Sequence, residues 1–356
     1  MTAHTPARAH APALLLLLVL LTPCAPARAQ TAAGGGEPAP PGRLLDVGGY
    51  RLHVNCTGAG RGPAAVLIAG AGDFSFDWAL VQPGVSRFAR VCSYDRAGAA
   101  WSDLGPTPRT MRQEAHELRA LLGAAGVAPP YVLVGHSIGG LVARVYADAY
   151  PREVAGVVFV DSTTEDTTLN YQGRLVRVRD GARGLAVPGV QTLAGSPPRP
   201  PTEDDLKQAE FNRQVFGPPK IAPPFDRLPG SARALRLWAL SNPKLQASSE
   251  DFWAEELREL HEARARRPRP LGGLPVVSLV GASAGETPPG VAADEWARLA
   301  AEKRRQKEEL AGLSTRGRVV VAARSGHHVQ LEEPALVVEA VRRVVAEARG
   351  HTRRRR

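Results

Sequence analysis

Residues 131–160 constrain the fold of this chain more than any other stretch. Tyr131 to Val134 and Val157 to Val160 are apolar runs of strand length. Between them lie Gly135-His136-Ser137-Ile138-Gly139-Gly140 and a helical segment that reaches Tyr150 and stops before Pro151. Fully apolar strands joined through a helix are the signature of parallel neighbours, since antiparallel neighbours can be joined by a tight turn. The same alternation recurs on both sides. Upstream come an apolar strand at Ala64 to Ile68, a short strand at Arg90 to Tyr94 and a helix at Thr110 to Leu122. In that helix Thr110 and Gln113 form a capping box, Met111, Ala115, Leu118 and Leu122 share one face, and Gly123 is the stop signal. Downstream come a strand at Pro275 to Val280, a charged helix over 291–313, a strand at Arg318 to Ala322 and an amphipathic helix at Pro334 to Ala348. The pattern predicts an α/β fold, a mostly parallel sheet with helices on both faces. A hairpin precedes it, with Leu44 to Val47 and Tyr50 to Cys56 flanking Gly48-Gly49.

The alternation breaks once. Residues 165–270 lack a clear buried strand and are rich in Pro and Arg, with helical pieces near 203–215, 231–240 and 249–265. They read as a helical cap or lid inserted into a single core made of 43–164 and 271–350. Glu165 and Asp166 read as surface charges where the insertion begins, and Phe211, Phe216, Phe225, Trp238, Phe252 and Trp253 as apolar bulk that packs its helices.

Composition excludes several classes. The 356 residues are 44% hydrophobic and 22% charged, which argues against wholesale disorder. No apolar run reaches the ~18 residues a membrane span requires. Neither C-x-x-C nor H-E-x-x-H occurs, so the familiar zinc spacings are missing, and no cofactor is implied. The formal charge of +10 comes from an Arg-rich composition with only five lysines, and it lacks the basic–aromatic interleaving of a nucleic-acid surface. Four of the arginines end the chain, in a basic tail over 351–356 that reads as a solvated end.

The first 29 residues have the form of a secretory signal: Arg8, an apolar core from Ala13 to Leu21, and Ala27-Arg28-Ala29 ahead of a cleavage point at Gln30. Pro23 directly before Cys24 fits a lipid-attachment site poorly. Residues 30–42 form a Gly/Pro linker. An exported chain meets oxidising conditions, which makes Cys56 and Cys92 a candidate disulfide. The expected location is therefore secreted or periplasmic.

Gly135-His136-Ser137-Ile138-Gly139 carries the chemistry. A G-x-S-x-G between an apolar strand and a helix places a serine on a sharp turn, where small neighbours relieve crowding and the helix N-terminus faces developing negative charge. A serine hydroxyl needs a base. His327, in Ser325-Gly326-His327 after the last core strand, is the candidate, ahead of His328 and of His136, whose position reads as packing. The imidazole in turn needs an acid. Asp161 ends the strand after the elbow helix, and Glu286 follows the next core strand; Asp161 is preferred because a rigid strand end holds it. The N–H of Ile138 and a donor from Ala69-Gly70-Ala71-Gly72, best Ala71, would receive an oxyanion.

These motifs resemble the α/β-hydrolase superfamily, in particular its cap-bearing serine hydrolases with a Gly-His-Ser-x-Gly-Gly elbow. Tyr94-Asp95-Arg96-Ala97-Gly98 with Trp101-Ser102-Asp103 is similar to the family's Asp-Arg-x-Gly loop, in which Asp95 and Arg96 would brace neighbouring loops. Ser325-Gly326-His327 with Glu333-Pro334 is similar to its histidine loop. The chain departs from the family in having Ala69-Gly70 where His-Gly is usual, and in lacking an Asp soon after the seventh strand. The resemblance implies an eight-stranded sheet with the second strand beside the fourth, which would make Cys56 and Cys92 neighbours. It also implies hydrolysis of a small-molecule carboxylic ester through an acyl-enzyme. A serine nucleophile disfavours dehalogenation, which the fold usually performs with Asp. Amide or peptide cleavage and acyl transfer would use the same residues, and a non-catalytic binding protein that kept the fold is the alternative of another class.

Overall fold

Every residue of the strands at Ala64–Ile68 and Tyr131–His136 is buried, as an apolar strand must be when both faces of its sheet are covered. A computed structural model describes residues 37–60, 62–171, 174–183, 198–248, 254–287 and 290–354. The expected signal segment with Cys24, the first part of the linker, Phe252, Trp253 and the last two arginines lie outside the described residues. Met1–Pro38 form one unit and Ala39–Arg356 a second. The description below concerns the second.

Its strands are β1 (Arg43–Asp46), β2 (Arg51–Thr57), β3 (Ala64–Ile68), β4 (Val91–Tyr94), β5 (Tyr131–His136), β6 (Val154–Val160), β7 (Thr168–Tyr171), β8 (Arg174–Arg177), β9 (Pro275–Gly281) and β10 (Arg316–Ala322). Its helices are α1 (Gln82–Ser86), α2 (Met111–Ala124), α3 (Gly139–Ala149), α4 (Glu203–Phe216), α5 (Gly230–Leu240), α6 (Pro243–Ala247), α7 (Ala254–Arg266), α8 (Ala293–Glu309), α9 (Val329–Glu332) and α10 (Pro334–Arg354). Eight strands form one sheet in the order β1-β2-β4-β3-β5-β6-β9-β10. β2 runs antiparallel to both of its neighbours, and every other pairing is parallel.

The period of two along the strands sorts side chains onto two faces. Val66, Ile68, Leu133, Val157 and Phe159 pack with Leu118, Leu121, Leu141 and Val142 of α2 and α3. Ala65, Leu67, Val132, Val134, Val158 and Val160 pack with Val337, Val341, Val344 and Val345 of α10. Cys56 on β2 lies opposite Cys92 on β4, and the two form a disulfide with their Cα atoms 4.0 Å apart.

Several local expectations change. α2 continues through Gly123 to Ala124. Only half of its capping box forms: the Gln113 N–H donates to Thr110 Oγ1 at 3.1 Å, while the Gln113 side chain turns to Tyr50 and Glu117. The inserted stretch holds not only helices α4 to α7 but also the two-stranded β7–β8 hairpin. α10 carries the backbone as far as Arg354, so most of the basic tail is helical rather than frayed. Glu165 is fully buried, not a surface charge, and pairs with Arg144 of α3 and with Arg264 of α7 at 3.3 Å.

Candidate active site

Ser137 follows β5 directly and has φ +51°, a left-handed conformation that a non-glycine residue holds at a cost of about 1–3 kcal/mol. Backbone crowding explains the glycines around it. A Cβ on Gly135 would lie 2.4 Å from the Gly139 carbonyl oxygen, and one on Gly139 would lie 2.4 Å from that of Ile68. The turn can close this tightly only without those atoms. α3 starts at Gly139, so the positive end of its dipole faces the serine.

Asp161 ends the next strand in the same left-handed region, with φ +42°. Its N–H donates to the Leu279 carbonyl at 2.8 Å, and its Oδ1 accepts from the Gly281 N–H at 2.9 Å. These bonds fix the carboxylate between β6 and β9. Its Oδ2 accepts from His327 Nδ1 at 2.7 Å and also from Lys307 Nζ of α8. Burial would raise the Asp161 carboxyl, but the His327 hydrogen bond and the Lys307 ammonium bring it down to about 2. His327 lies in the loop after β10. Its enclosure lowers the imidazole below its usual value, against the opposing pull of Asp161. The ring still keeps 45% of its side-chain surface accessible.

Ser137, Ile138, Asp161, His327 and Ala71 line one cavity of about 440 Å³ at the carboxyl ends of the central strands. That is where ligands bind in open α/β sheets. A larger groove of about 610 Å³ lies at the opposite end of β5, beside Val127 and Tyr131, and contains none of these residues. Ser137 Oγ is 3.5 Å from Thr163 Oγ1, and among the described residues it makes no hydrogen bond to His327. Such bonds are often long before substrate binds.

The turn after β3 is braced from below. Arg96 donates to the Gly70 carbonyl at 2.6 Å and to that of Ala69 at 3.4 Å. Asp95, beside it, accepts from the Ser75 N–H and from His53 Nδ1, each at 2.7 Å. His136 does more than pack. Its Nδ1 faces Asp73 Oδ2 at 2.9 Å, and its Nε2 donates to the main-chain carbonyl of His327 at 2.9 Å. The residue before Ser137 therefore holds the loop that carries His327. Burial would raise the Asp73 carboxyl, but His136 holds it at about 2. Arg236 of α5 closes the turn from the inserted stretch, pairing with Asp77 and lying 3.5 Å from Asp73.

Asp73, His136 and His328 each place one potential metal-ligand atom within 4.8 Å of the others. Both His136 nitrogens already have partners, and the Arg236 guanidinium lies against Asp73, so the group is better suited to holding loops than to holding a cation. His328 is kept at about 4, chiefly by burial. Its ring packs on Phe225, with centroids 4.7 Å apart, and does not line the cavity that holds Ser137. Glu286, the alternative acid, is exposed in the loop after β9 and does not line the cavity.

Sequence reasoning did not find Lys307, Asp73 or Arg236. A signal existed for the first: only five lysines occur in this Arg-rich chain, and two of them, Lys303 and Lys307, stand one helical turn apart. Asp73 and Arg236 meet only through tertiary structure, and nothing local marks them.

A curated protein of Gibberella zeae described as an AB hydrolase superfamily protein is 28% identical over 296 residues, covering 80% of this chain and 86% of that one. The probable transporter efuK of Hormonema carpetanum is 37% identical over 131 residues, but the match spans only 19% of its length and 35% of this chain. Among solved structures, a thermophilic esterase from Thermogutta terrifontis superposes with a TM-score of 0.54 at 21% identity, covering 84% of this chain and 94% of the other. The enol-lactonase from Burkholderia xenovorans gives 0.55 at 19%, covering 85% and 100%. The epoxide hydrolase CorEH gives 0.57 at 17%, covering 86% and 98%. At such identities the likeness is one of fold. The sequence model of the alpha/beta hydrolase family matches residues 65–340, from β3 into α10, a span that includes Ser137, Asp161 and His327, and the chain belongs to that family.

Proposed function

We propose that this protein is a secreted serine hydrolase that cleaves carboxylic esters through a Ser137–His327–Asp161 triad. The observation that carries the reading is the 2.7 Å contact between His327 Nδ1 and Asp161 Oδ2, in the cavity that Ser137 also lines. Asp161 fixes the tautomer that leaves Nε2 of His327 free to act as a base. Ser137 Oγ attacks the ester carbonyl while its proton passes to that nitrogen. The N–H groups of Ile138 and Ala71 receive the oxyanion, Asp161 stabilises the imidazolium, and the proton then goes to the departing alcohol. Water attacks the acyl-enzyme by the same steps in reverse order of roles, returning Ser137 and releasing the acid. A serine at the elbow, where a carboxylate would form an alkyl-enzyme, favours acyl chemistry. No cofactor enters the scheme.

The stretch at 165–270 is assigned as the cap that selects the substrate, on the core of 43–164 and 271–350. Export with cleavage before Gln30 rests on the form of the first 29 residues and is supported by the Cys56–Cys92 disulfide, a bond that persists in oxidising compartments. Among the described residues no helix is long and apolar enough to cross a membrane.

A fluorophosphonate probe should label the protein at Ser137. With 4-nitrophenyl esters, Ser137→Ala or His327→Ala should lower kcat by about a million-fold, and Asp161→Asn by about 10⁴. Labelling elsewhere, or full turnover by Ser137→Ala, would reject the triad. A silent wild-type protein would favour a binding role.

A further inference from the structure

Three cationic side chains of α8, Lys303, Arg304 and Lys307, line the cavity that holds Ser137 and His327, and among its described lining residues Asp161 is the one carboxylate. Two of the three are engaged. Lys307 pairs with Asp161, and Arg304, exposed at the rim, donates to the Ala282 carbonyl. Lys303 is half-buried and has no acid partner among the described residues. Glu302, its neighbour in sequence, faces Arg177 at 3.2 Å and Gln306 at 3.0 Å. An ammonium withdrawn from water without a counter-charge is costly. Burial and the nearby Lys307 charge push the Lys303 amine below its usual value, against the weaker pull of the Asp161 carboxylate, with which it makes no ion pair. Thr163, Thr164 and Thr167 add hydroxyls to the same lining, so a charged or hydrogen-bonding substrate group would find polar partners beside the apolar surface of Ile138 and Trp296.

Resting on the ester-hydrolase reading above, we infer that the natural substrate is an ester carrying a carboxylate, and that Lys303 binds this group beside the catalytic serine. With Lys307 paired to Asp161 and Arg304 exposed at the rim, Lys303 is the one half-buried ammonium of the described lining without an ion pair, and it matches a single negative charge. A carboxylate therefore fits better than a doubly charged phosphate, which would call for more donors. Lys303 touches the substrate away from the reacting bond, so its effect is on selection.

The test uses two pairs of esters on the full mature chain. In the first, 4-nitrophenyl valerate is compared with the 4-nitrophenyl monoester of glutaric acid, which places the charge on the acyl side. In the second, 3-carbamoylphenyl butyrate is compared with 3-carboxyphenyl butyrate, which places it on the leaving group. Wild-type kcat/KM should favour the charged member of one pair by about ten-fold or more, and Lys303→Gln should reduce that ratio about ten-fold, the scale of one hydrogen bond to a charged group. Glutarate should inhibit hydrolysis of the neutral ester by the wild-type protein competitively and more strongly than glutaramide. That measurement does not depend on the variant folding. Turnover of neutral esters with no preference in either pair, a ratio unchanged by Lys303→Gln, or equal inhibition by glutarate and glutaramide would overturn the inference while leaving the hydrolase reading standing. No turnover of any ester together with no labelling of Ser137 would remove the hydrolase reading, and the inference with it.

Discussion

Asp161 accepts hydrogen bonds from two nitrogens on a single oxygen, His327 Nδ1 and Lys307 Nζ. A carboxylate shared in this way stabilises an imidazolium less than one devoted to it, because part of its charge is already neutralised. Burial lowers the His327 imidazole, and the Lys307 charge lowers it further. In the proposed mechanism His327 must be neutral to accept a proton, so kcat/KM should rise with pH through one ionisation centred below the ordinary histidine value of about 6.5. In Lys307→Met the cation is gone, His327 holds its proton more tightly, and the acidic limb should move to higher pH. A pH–rate profile of the two proteins checks this, and an unmoved or downward-moved limb would show that Lys307 does not influence the base. Ser137, His327 and Asp161 could be singled out in the sequence because each occupies a position defined by a neighbouring strand end or turn. Lys307 belongs to a helix whose docking brings it to Asp161 from 146 positions away. No local pattern encodes that approach.

At the scale of elements, α5 is tied to the turn after β3 by one buried side chain. Arg236 reaches Asp77 and Asp73, approaches the Gly72 carbonyl at 3.4 Å, and lies over the Phe225 ring at 3.4 Å. Truncating one member of such a network leaves buried carboxylates without their counter-charge, which typically costs about 3–5 kcal/mol. Arg236→Ala should therefore show a urea midpoint lowered to that extent. It should also lose kcat on neutral esters, since the turn it steadies carries Ala71. Arg236→Lys should recover part of the stability. Full stability in Arg236→Ala would mean that the pair contributes little. The strands were legible because central parallel strands are continuous apolar runs. The β7–β8 hairpin was not, since its residues, such as Arg174 and Arg177, have no apolar run to announce a strand. Glu165 escaped notice for a related reason: its two arginine partners come from α3 in the core and from α7 near the far end of the insertion.

At the scale of the whole molecule, one edge of the sheet is covalently closed. The Cys56–Cys92 bond joins β2, the strand of reversed direction, to β4 across 36 positions. A loop of that size contributes about 4 kcal/mol in the chain-entropy account. A Cys56→Ser/Cys92→Ser protein should lose about that much stability in urea unfolding while keeping the ester preference of the wild type, because neither cysteine lines the cavity. An unchanged midpoint would show that the pair adds nothing to stability. The bond from His136 Nε2 reaches the main-chain carbonyl of His327 and not its ring. Whatever side chain stands at position 327, that tether can persist. A variant stripped of the ring would then keep its loop in register and leave a hollow of imidazole shape in the cavity that Ser137 lines, so the scaffold that places residue 327 is separable from its ring.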